Sequence, residues 1–384
     1  SEELLSMPLS HRERVLAALA HQEPDRVPIA LWGSAYGLID GLYTRVRGHF
    51  GLDPAGAIRM RPRMGHTVNY MDDRILELLD IDVRYVWSGA TDLNSPLRGV
   101  GKDLFGVEFE KTGYQVHPVR FPLAEAGEAE AADYRMPDPD PLVDRPAARE
   151  RARELRRSTD CALIARAPNS FGLFDQSSYL TGMERHSVEF HDNPRLVDLL
   201  ADKLADFFIA LYERFLDAVG PYVDVVELPG DDYAGTAGPI IDPRLFTRHY
   251  LPRWRRVIAR IRGLCPHAHV TFHCDGDVTP FLPGFLEAGA DVHHPLEDVP
   301  GLDMARVKRE FGPRLTVLGA LDIKEPLQRS DEATRAEVEK RIRALAPGGG
   351  FILAPANHVQ TDIPPERLVL AFRHAREVGR YPLR

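Results

Sequence analysis

The stretch TFHCDGDVTPFL, residues 271–282, shows how this chain folds. Its β-branched and aromatic residues predict a strand that ends at His273, and Asp275 and Gly276 then break it. A helix is predicted soon afterwards, at residues 279–288. Because parallel strands need crossover connections, which are usually helices, this rapid passage from strand to helix predicts a parallel α/β fold.

The same unit recurs at least six times from residue 161 onward, with short connections. Such alternation indicates a parallel sheet, and no glycine-rich dinucleotide fingerprint follows any of the strands. For a chain of 384 residues, one (β/α)8 TIM barrel domain over residues 1–384 is favoured over an open doubly wound sheet. The predicted strands are 161–168, 223–230, 267–274, 290–295, 314–321 and 349–355, and the predicted helices are 173–184, 194–219, 243–263, 279–288, 302–311, 331–346 and 365–378.

Residues 90–145 interrupt this pattern. Within them, DLFGVEFEKTGYQVHPVRFPL alternates apolar and polar residues, which predicts hairpins. A proline-rich connector, MPDPDPLVDRP, follows at 136–146. We interpret this region as an irregular, strand-rich insertion on the barrel.

The net charge and the composition argue against some classes of binding partner and cellular location. A formal net charge of −9 argues against nucleic acid or an anionic membrane as a partner, since both select basic surfaces. No apolar run approaches the roughly 18 residues that a membrane span needs, and the N-terminal segment has no secretory apolar region. Three cysteines do not make a disulfide framework, so we expect a cytoplasmic protein.

Polar side chains gather where the predicted strands end. In a (β/α)8 barrel the active site lies at the carboxyl ends of the strands, so these residues are the candidates for binding a small-molecule substrate. They are Arg166, Asn169, Glu227, Asp231, Asp232, His273, Asp275, His293, His294, Glu297, Asp322, Asn357 and His358.

Strand alternation separates some of these candidates. His273 and Asp275 share a face and Cys274 lies on the other, where a small buried apolar residue is the simplest interpretation. The imidazole of His273 either has a functional role in the active site or caps a loop carbonyl by donating a hydrogen bond to it. Tyr179, at a predicted helix start, is either a core residue or a pocket residue.

Two adjacent pairs leave alternatives open. Asp231 and Asp232 either form a solvated turn or helix cap, or else coordinate a metal or act as a general acid. Of His293 and His294, one must point away from the site. His358, beyond the last strand, has a functional and a structural interpretation.

Five ordered segments resemble the uroporphyrinogen decarboxylase superfamily, which also contains zinc-dependent methyltransferases that move methyl groups between corrinoid proteins and thiols. The resemblance covers nearly the whole chain, is weakest at residues 90–160, and implies a (β/α)8 barrel enzyme. The segments are RERVLAALAHQEPDRVPI, DDYAGTAGPIIDPRLFTRHYLPRW, FHCDGDVTPFLPGFLEAGAD, LGALDIKEPL and GGGFILAPANHVQTDIPPERL.

Individual residues extend the resemblance. Tyr179 and His358 are similar to the active-site tyrosine and the late histidine of the decarboxylases, whereas Asp232 stands where they carry serine. The decarboxylases grip substrate carboxylates with an N-terminal arginine, and VPIALWGSAYG (27–37) has none. The resemblance therefore implies a substrate other than uroporphyrinogen.

The zinc methyltransferases use His-x-Cys at one strand end and a second Cys at the last strand. Here the matching positions are His273 and Asp275, followed by Asn357 and His358. Because zinc also accepts imidazole and carboxylate ligands, the resemblance implies a site for zinc or another divalent metal at His273, Asp275 and His358.

The leading hypothesis is methyl or one-carbon transfer, or demethylation of a small molecule. The alternatives are decarboxylation of a small carboxylate or tetrapyrrole-like substrate by general acid catalysis, and a non-catalytic corrinoid- or metabolite-binding barrel. A corrinoid would arrive on a separate protein, and the superfamily suggests a homodimer. The predicted catalytic residues are His273, Asp275, Asp232, His358 and Tyr179, and the predicted substrate-binding residues are Arg166, Asn169, Asp231, His294 and Asn357.

Overall fold

A computed structural model describes most of the chain. The strands, in chain order, are β1 (Val83–Val86), β2 (Gly101–Lys102), β3 (Glu108–Thr112), β4 (Gln115–Arg120), β5 (Ala162–Ala165), β6 (Val225–Glu227), β7 (Ala234–Gly235), β8 (Gly238–Pro239), β9 (His269–His273), β10 (Val292–His294), β11 (Thr316–Leu321) and β12 (Phe351–Pro355). The described residues are 8–31, 37–52, 72–88, 101–112 and 115–383.

A seven-stranded parallel sheet forms the centre, in the order β1-β5-β6-β9-β10-β11-β12. Strands that are consecutive in this order are also consecutive along the chain, apart from the short strands that lie outside the sheet. A doubly wound sheet reverses its strand order at a switch point. The described strands show no such reversal, so the doubly wound alternative is wrong for them, and the predicted parallel α/β pattern is confirmed.

The segment Pro28–Ala30 lies beside the last strand of this sheet. The Leu353 N–H donates to the Pro28 carbonyl at 2.9 Å, and the Ala30 N–H donates to the Leu353 carbonyl at 2.8 Å. On its other side the Ile29 carbonyl accepts from the N–H of Asp82, just before β1, at 2.9 Å. This segment therefore bonds to the residues at both edges of the sheet.

The helices follow the expected order. Ser10 and Glu13 form a capping box before α1, and Asn193 caps α8, where Pro194 occupies the first position. The helices are α1 (His11–Leu19), α2 (Asp40–His49), α3 (Asp73–Leu78), α4 (Glu128–Asp133), α5 (Arg145–Ser158), α6 (Leu173–Thr181), α7 (Met183–Asp192), α8 (Pro194–Val219), α9 (Pro243–Leu245), α10 (Leu251–Leu264), α11 (Leu282–Ala288), α12 (Met304–Phe311), α13 (Glu325–Arg329), α14 (Asp331–Leu345) and α15 (Pro365–Val378), with a π-type turn (Phe246–Tyr250) joining α9 to α10.

The insertion predicted at 90–145 is strand-rich only in its first half. β2, β3 and β4 form a three-stranded antiparallel sheet over 101–120. α4 and a 3-10 turn at Asp140–Leu142 follow, because the acidic and alanine-rich residues there favour helix over strand. Residues 90–100 and 113–114 of the predicted insertion lie outside the described part.

Buried apolar side chains from Val15 to Ala375 form a continuous cluster. The single domain over residues 1–384 stays a prediction. Cys161, Cys265 and Cys274 are buried as free thiols. Within the described ranges, each helix is too short or too polar to cross a bilayer.

Candidate functional site

His273, Asp232 and Asp275 meet at the carboxyl ends of β6 and β9. β9 ends at His273, whose side chain keeps an exposed fraction of 13%. Its Nε2 lies 3.8 Å from Oδ1 of Asp232 and 3.6 Å from Oδ1 of Asp275. One ligand atom from each of the three residues lies within 4.8 Å of the others. An imidazole and two carboxylates therefore face one another across a small gap.

Hydrogen bonds from neighbouring turns hold the two carboxylates. Oδ1 of Asp232 accepts from the backbone N–H of Asp275 at 2.8 Å. Oδ2 of Asp275 accepts from Nδ2 of Asn357, beyond β12, at 2.7 Å. Three strand ends are thus tied together through these side chains, and Asn357 orients a carboxylate.

Asp275 has an unusual electrostatic environment. Burial raises the pKa of its carboxyl to about 7; His273 opposes the rise, whereas the negative charges of Asp232 and Glu297 add to it. Its Oδ1 is buried and has no hydrogen-bond partner within the described part of the chain. The unpartnered oxygen faces Nε2 of His273, where a cation or a proton would satisfy it.

His294 lies behind His273 and is fully buried. Its Nδ1 lies 2.9 Å from Nδ1 of His273, and its Nε2 lies 3.0 Å from the carbonyl oxygen of Pro355. We expected His294 to bind substrate, but the structure places it against a site residue. His293 packs on the ring of Phe272 with centroids 4.5 Å apart, so one histidine of the pair does point away.

His358 lines a cavity of about 360 Å³ next to this group, together with Asp275 and Asn357. His358 is not part of the group whose ligand atoms lie within 4.8 Å of one another. That group consists of Asp232, His273 and Asp275. The residues that the structure brings together are therefore Asp232, His273 and Asp275, in place of the predicted His273, Asp275 and His358, and metal binding by them stays a prediction. The turn after β12 places His358 in the wall of the cavity.

Asp231 takes a different position from its neighbour Asp232. It is 1% exposed and accepts from the N–H of Phe174 at 3.0 Å and from the N–H of Asp175 at 2.9 Å. The Tyr233 hydroxyl also donates to it, and so does Nε1 of Trp254, at 3.2 Å. Burial raises the pKa of the Asp231 carboxyl to about 7.

The partners of Asp231 explain its burial. Gly172 precedes α6 and offers no capping side chain, so the carboxylate of Asp231 caps this helix from another strand end. Among the alternatives for this pair, the helix cap describes Asp231. The structure gives it this position instead of the predicted contact with substrate.

Arg166 and Asn169 lie at the end of β5. Arg166 is 3% exposed; its guanidinium sits 4.4 Å from the ring centroid of Trp87 and donates to the Ala167 carbonyl at 3.0 Å. Asn169 is 1% exposed, and its Nδ2 donates to the Phe171 carbonyl at 2.6 Å. Their substrate-binding roles stay predictions.

Tyr179, on α6, packs its ring on Phe171 with centroids 4.4 Å apart and on Phe109, from the insertion, with centroids 6.4 Å apart. It is half-buried, so this position joins the three-stranded sheet of the insertion to α6. The catalytic role assigned to it stays a prediction.

Asp175, which is not among the strand-end candidates, and Glu297, which is one of them, both support the cluster. Oδ2 of Asp175 accepts from the N–H of Asp232 at 3.2 Å, and Oε2 of Glu297 accepts from the N–H of Gly276 at 2.8 Å. Glu297 follows β10 and was recognisable as a strand-end acid. Asp175 lies within α6, and nothing in the sequence connected it to this group.

The model of the family described as uroporphyrinogen decarboxylase (URO-D) matches residues 106–378. No curated protein matches the chain significantly. A methyltransferase from Methanosarcina mazei has a similar structure, with a TM-score of 0.68 and 17% sequence identity over 96% of this chain and 98% of that one.

A more distant likeness is to a putative vitamin-B12 independent methionine synthase from Listeria monocytogenes. Its TM-score is 0.42, with 14% identity over 92% of this chain and 99% of that one. At these identities, the likeness to the methyltransferase supports the fold alone. The likeness to the methionine synthase is too weak to support even the fold.

Proposed function

The chain belongs to the uroporphyrinogen decarboxylase family, and on that premise we propose that it is an enzyme that transfers a methyl or other one-carbon group of a small molecule. The chemistry would take place at Asp232, His273 and Asp275. The observation that carries this proposal is the close approach of their three ligand atoms, all within 4.8 Å.

These residues fit a divalent metal. The buried Oδ1 of Asp275 has no hydrogen-bond partner among the described residues, and it faces an imidazole nitrogen 3.6 Å away. One nitrogen and two carboxylate oxygens suit zinc or a similar ion, although this set is richer in oxygen than a thiolate site. A bound metal would act as a Lewis acid toward a thiol or a substrate oxygen.

The surrounding residues would bind and orient the substrate. Asn357 fixes the carboxylate of Asp275, and His358 and Lys324 line the adjacent cavity of about 360 Å³. A cavity of this size, lined by polar side chains, suits a small polar molecule. Substrate contacts of Arg166 and Asn169 and a catalytic role of Tyr179 are further parts of the proposal, although these three residues do not line this cavity.

The likeness to a methyltransferase from Methanosarcina mazei supports methyl transfer over other reactions of the family. A separate corrinoid protein as methyl carrier, a homodimer and a cytoplasmic location are further proposals that rest on the family resemblance and composition.

We also propose that the sheet closes into a (β/α)8 barrel. The hydrogen bonds of Pro28 and Ala30 with Leu353 in β12, and of Ile29 with Asp82 before β1, support this closure. They put one segment in the position that an eighth strand would occupy.

Decarboxylation is a second candidate, because Asp275 offers a proton. A carboxyl whose pKa is raised to about 7 by burial is partly protonated near neutral pH and could protonate the carbanion that remains after carbon dioxide leaves. The acid would then be Asp275, in place of the pair Asp231 and Asp232 that the sequence suggested as a general acid.

The test uses metal-loaded protein with methylcobalamin as methyl donor and a panel of thiols as acceptors. We expect methyl transfer by the wild type and a loss of at least about 100-fold in His273→Ala and Asp275→Ala. His293→Leu, which changes a buried histidine that faces away from the cluster, is the matched control. Unchanged turnover in both site variants would contradict the proposal, and carbon dioxide release without an acceptor would favour decarboxylation.

A further inference from the structure

We propose that His294 is a positioning residue that determines which nitrogen of His273 carries the proton. The inference rests on the function proposed above, since it concerns the nitrogen that would hold the metal. It follows from a chain of two hydrogen bonds that ends at a backbone carbonyl.

The chain begins at Pro355. Its carbonyl oxygen can only accept a hydrogen bond, so Nε2 of His294, 3.0 Å away, must carry a proton. The side chain of His294 is completely buried, and a second proton would place a positive charge in this interior at a large desolvation cost. Nδ1 of His294 is therefore an acceptor.

The direction of the next bond follows. The two Nδ1 atoms of His294 and His273 lie 2.9 Å apart, so one of them must donate. Because Nδ1 of His294 accepts, the proton lies on Nδ1 of His273. In neutral His273 the lone pair is then on Nε2, the nitrogen that faces Asp232 at 3.8 Å and Asp275 at 3.6 Å.

The hydrogen bond from His273 to His294 opposes the effect of the nearby carboxylates on the proton of His273. Two carboxylates near Nε2 would attract a proton to that nitrogen, which would block it as a metal ligand. The acceptor on His294 stabilises the opposite tautomer, as second-shell groups do for metal-binding histidines.

The backbone fixes the ring of His294. Strand pairing sets it directly beside His273, and Gly319 in β11 leaves the space that the ring needs. A Cβ atom at Gly319 would lie 3.0 Å from Cδ2 of His294, and the φ of +125° there disfavours any other residue. The ring therefore has little freedom to move away from His273.

The first test is nuclear magnetic resonance of metal-free protein labelled with ¹⁵N-histidine, at pH 8. Long-range proton–nitrogen correlations distinguish a protonated nitrogen from a bare one, and a His273→Gln spectrum assigns the His273 signals. We expect a protonated Nδ1 and a bare Nε2 for His273. A protonated Nε2 in the wild type would overturn the proposal.

Two variants separate the two ends of His294. His294→Asn places an amide oxygen near the position of Nδ1 and keeps an acceptor for His273. His294→Gln extends its amide to the position of Nε2, so it keeps the bond to Pro355 and loses that acceptor. We expect the tautomer of His273 to persist in the Asn variant and to shift in the Gln variant, with a 10–100-fold loss of zinc affinity.

His293→Leu is the control for burial, and it should alter neither the tautomer nor the affinity. An unchanged tautomer in folded His294→Gln would refute the role of His294. Should that variant fail to fold, the wild-type spectrum still decides. The spectra need neither metal nor turnover, so failure of the proposed methyl transfer and failure of this inference are distinguishable.

Discussion

The backbone N–H of Asp275 donates to Oδ1 of Asp232 over 2.8 Å, which ties the turn after β9 to the turn after β6. The same oxygen of Asp232 faces Nε2 of His273. One carboxylate therefore both shapes the neighbouring turn and contributes to the candidate metal cluster. These two tasks differ in what they require, since the first needs only an acceptor and the second needs negative charge.

Substitution of Asp232 should separate the two tasks. Asp232→Asn keeps an acceptor for the Asp275 N–H but loses the charge, so we expect zinc affinity to fall by more than the 10–100-fold typical of supporting residues, with little change in stability. Asp232→Ala should lose affinity equally and also destabilise the protein by about 1 kcal/mol. Zinc titration and urea unfolding measure the two effects. Retained zinc affinity in Asp232→Asn would show that the cluster does not bind the ion.

Gly230 leaves room for the ring of His273, and no side chain fits in its place. A Cβ atom there would lie 2.9 Å from Cδ2 of His273, so Gly230→Ala should displace the imidazole and lower metal affinity while the protein stays folded. Gly263→Ala is the control, because a Cβ atom at that helical position meets nothing within 4 Å. Equal affinities in the two variants would contradict the placement of His273.

Asp231 should matter for stability more than for binding. Asp231→Ala removes the acceptor of two backbone N–H groups, a tyrosine hydroxyl and an indole N–H. Buried donors left without partners cost about 1–3 kcal/mol each, so we expect a loss of at least about 3 kcal/mol in the free energy of unfolding. Asp232→Asn serves as the comparison. A loss below 1 kcal/mol for Asp231→Ala would exclude the capping role.

Buried histidines should oppose folding as the pH falls below 6.5, whereas the carboxyls of Asp231 and Asp275, whose pKa values are raised to about 7, should favour folding over the same range. Burial lowers the pKa of His186 and that of His293 to about 3, from an ordinary value of 6.5. The unfolded chain then binds protons at these residues below pH 6.5, whereas the folded protein does not until near pH 3. The contribution of these two histidines to stability is therefore complete above pH 6.5. It falls toward lower pH, by up to about 1.4 kcal/mol per pH unit for each histidine.

His293→Leu should remove one part of this dependence. Relative to the wild type, its free energy of unfolding by urea should rise as the pH is lowered from 6.5 to 4.5. His191→Gln changes an exposed histidine, and its difference from the wild type should stay constant over this range. If both variants follow the wild-type curve, burial of His293 does not govern the acid response.

Much of this arrangement was predictable because strand alternation is a local property. It placed His273 and Asp275 on one face, with Cys274 buried behind, and it required one of His293 and His294 to point away. It could not decide which of the two would do so, since that choice depends on the register between β9 and β10.

Contacts between distant segments were beyond such reasoning. Asp231 and Asp232 are adjacent, yet one caps α6 from inside the core and the other joins the cluster, because the uncapped start of α6 happens to lie beside the turn. The predicted metal set contained His358 instead of Asp232, because the sequences of two strand ends do not determine the distance between them. The arginine-free segment at 27–37 lies partly outside the described residues.

A metal held by Asp232, His273 and Asp275 is tested most directly by X-ray anomalous scattering from crystals grown with zinc, measured on both sides of the zinc absorption edge. We expect one strong peak within bonding distance of Nε2 of His273 and of an oxygen from each carboxylate, and no such peak in His273→Ala. A wild-type crystal with no peak at these atoms, or with its peak at other ligands, would show that these residues do not hold the ion.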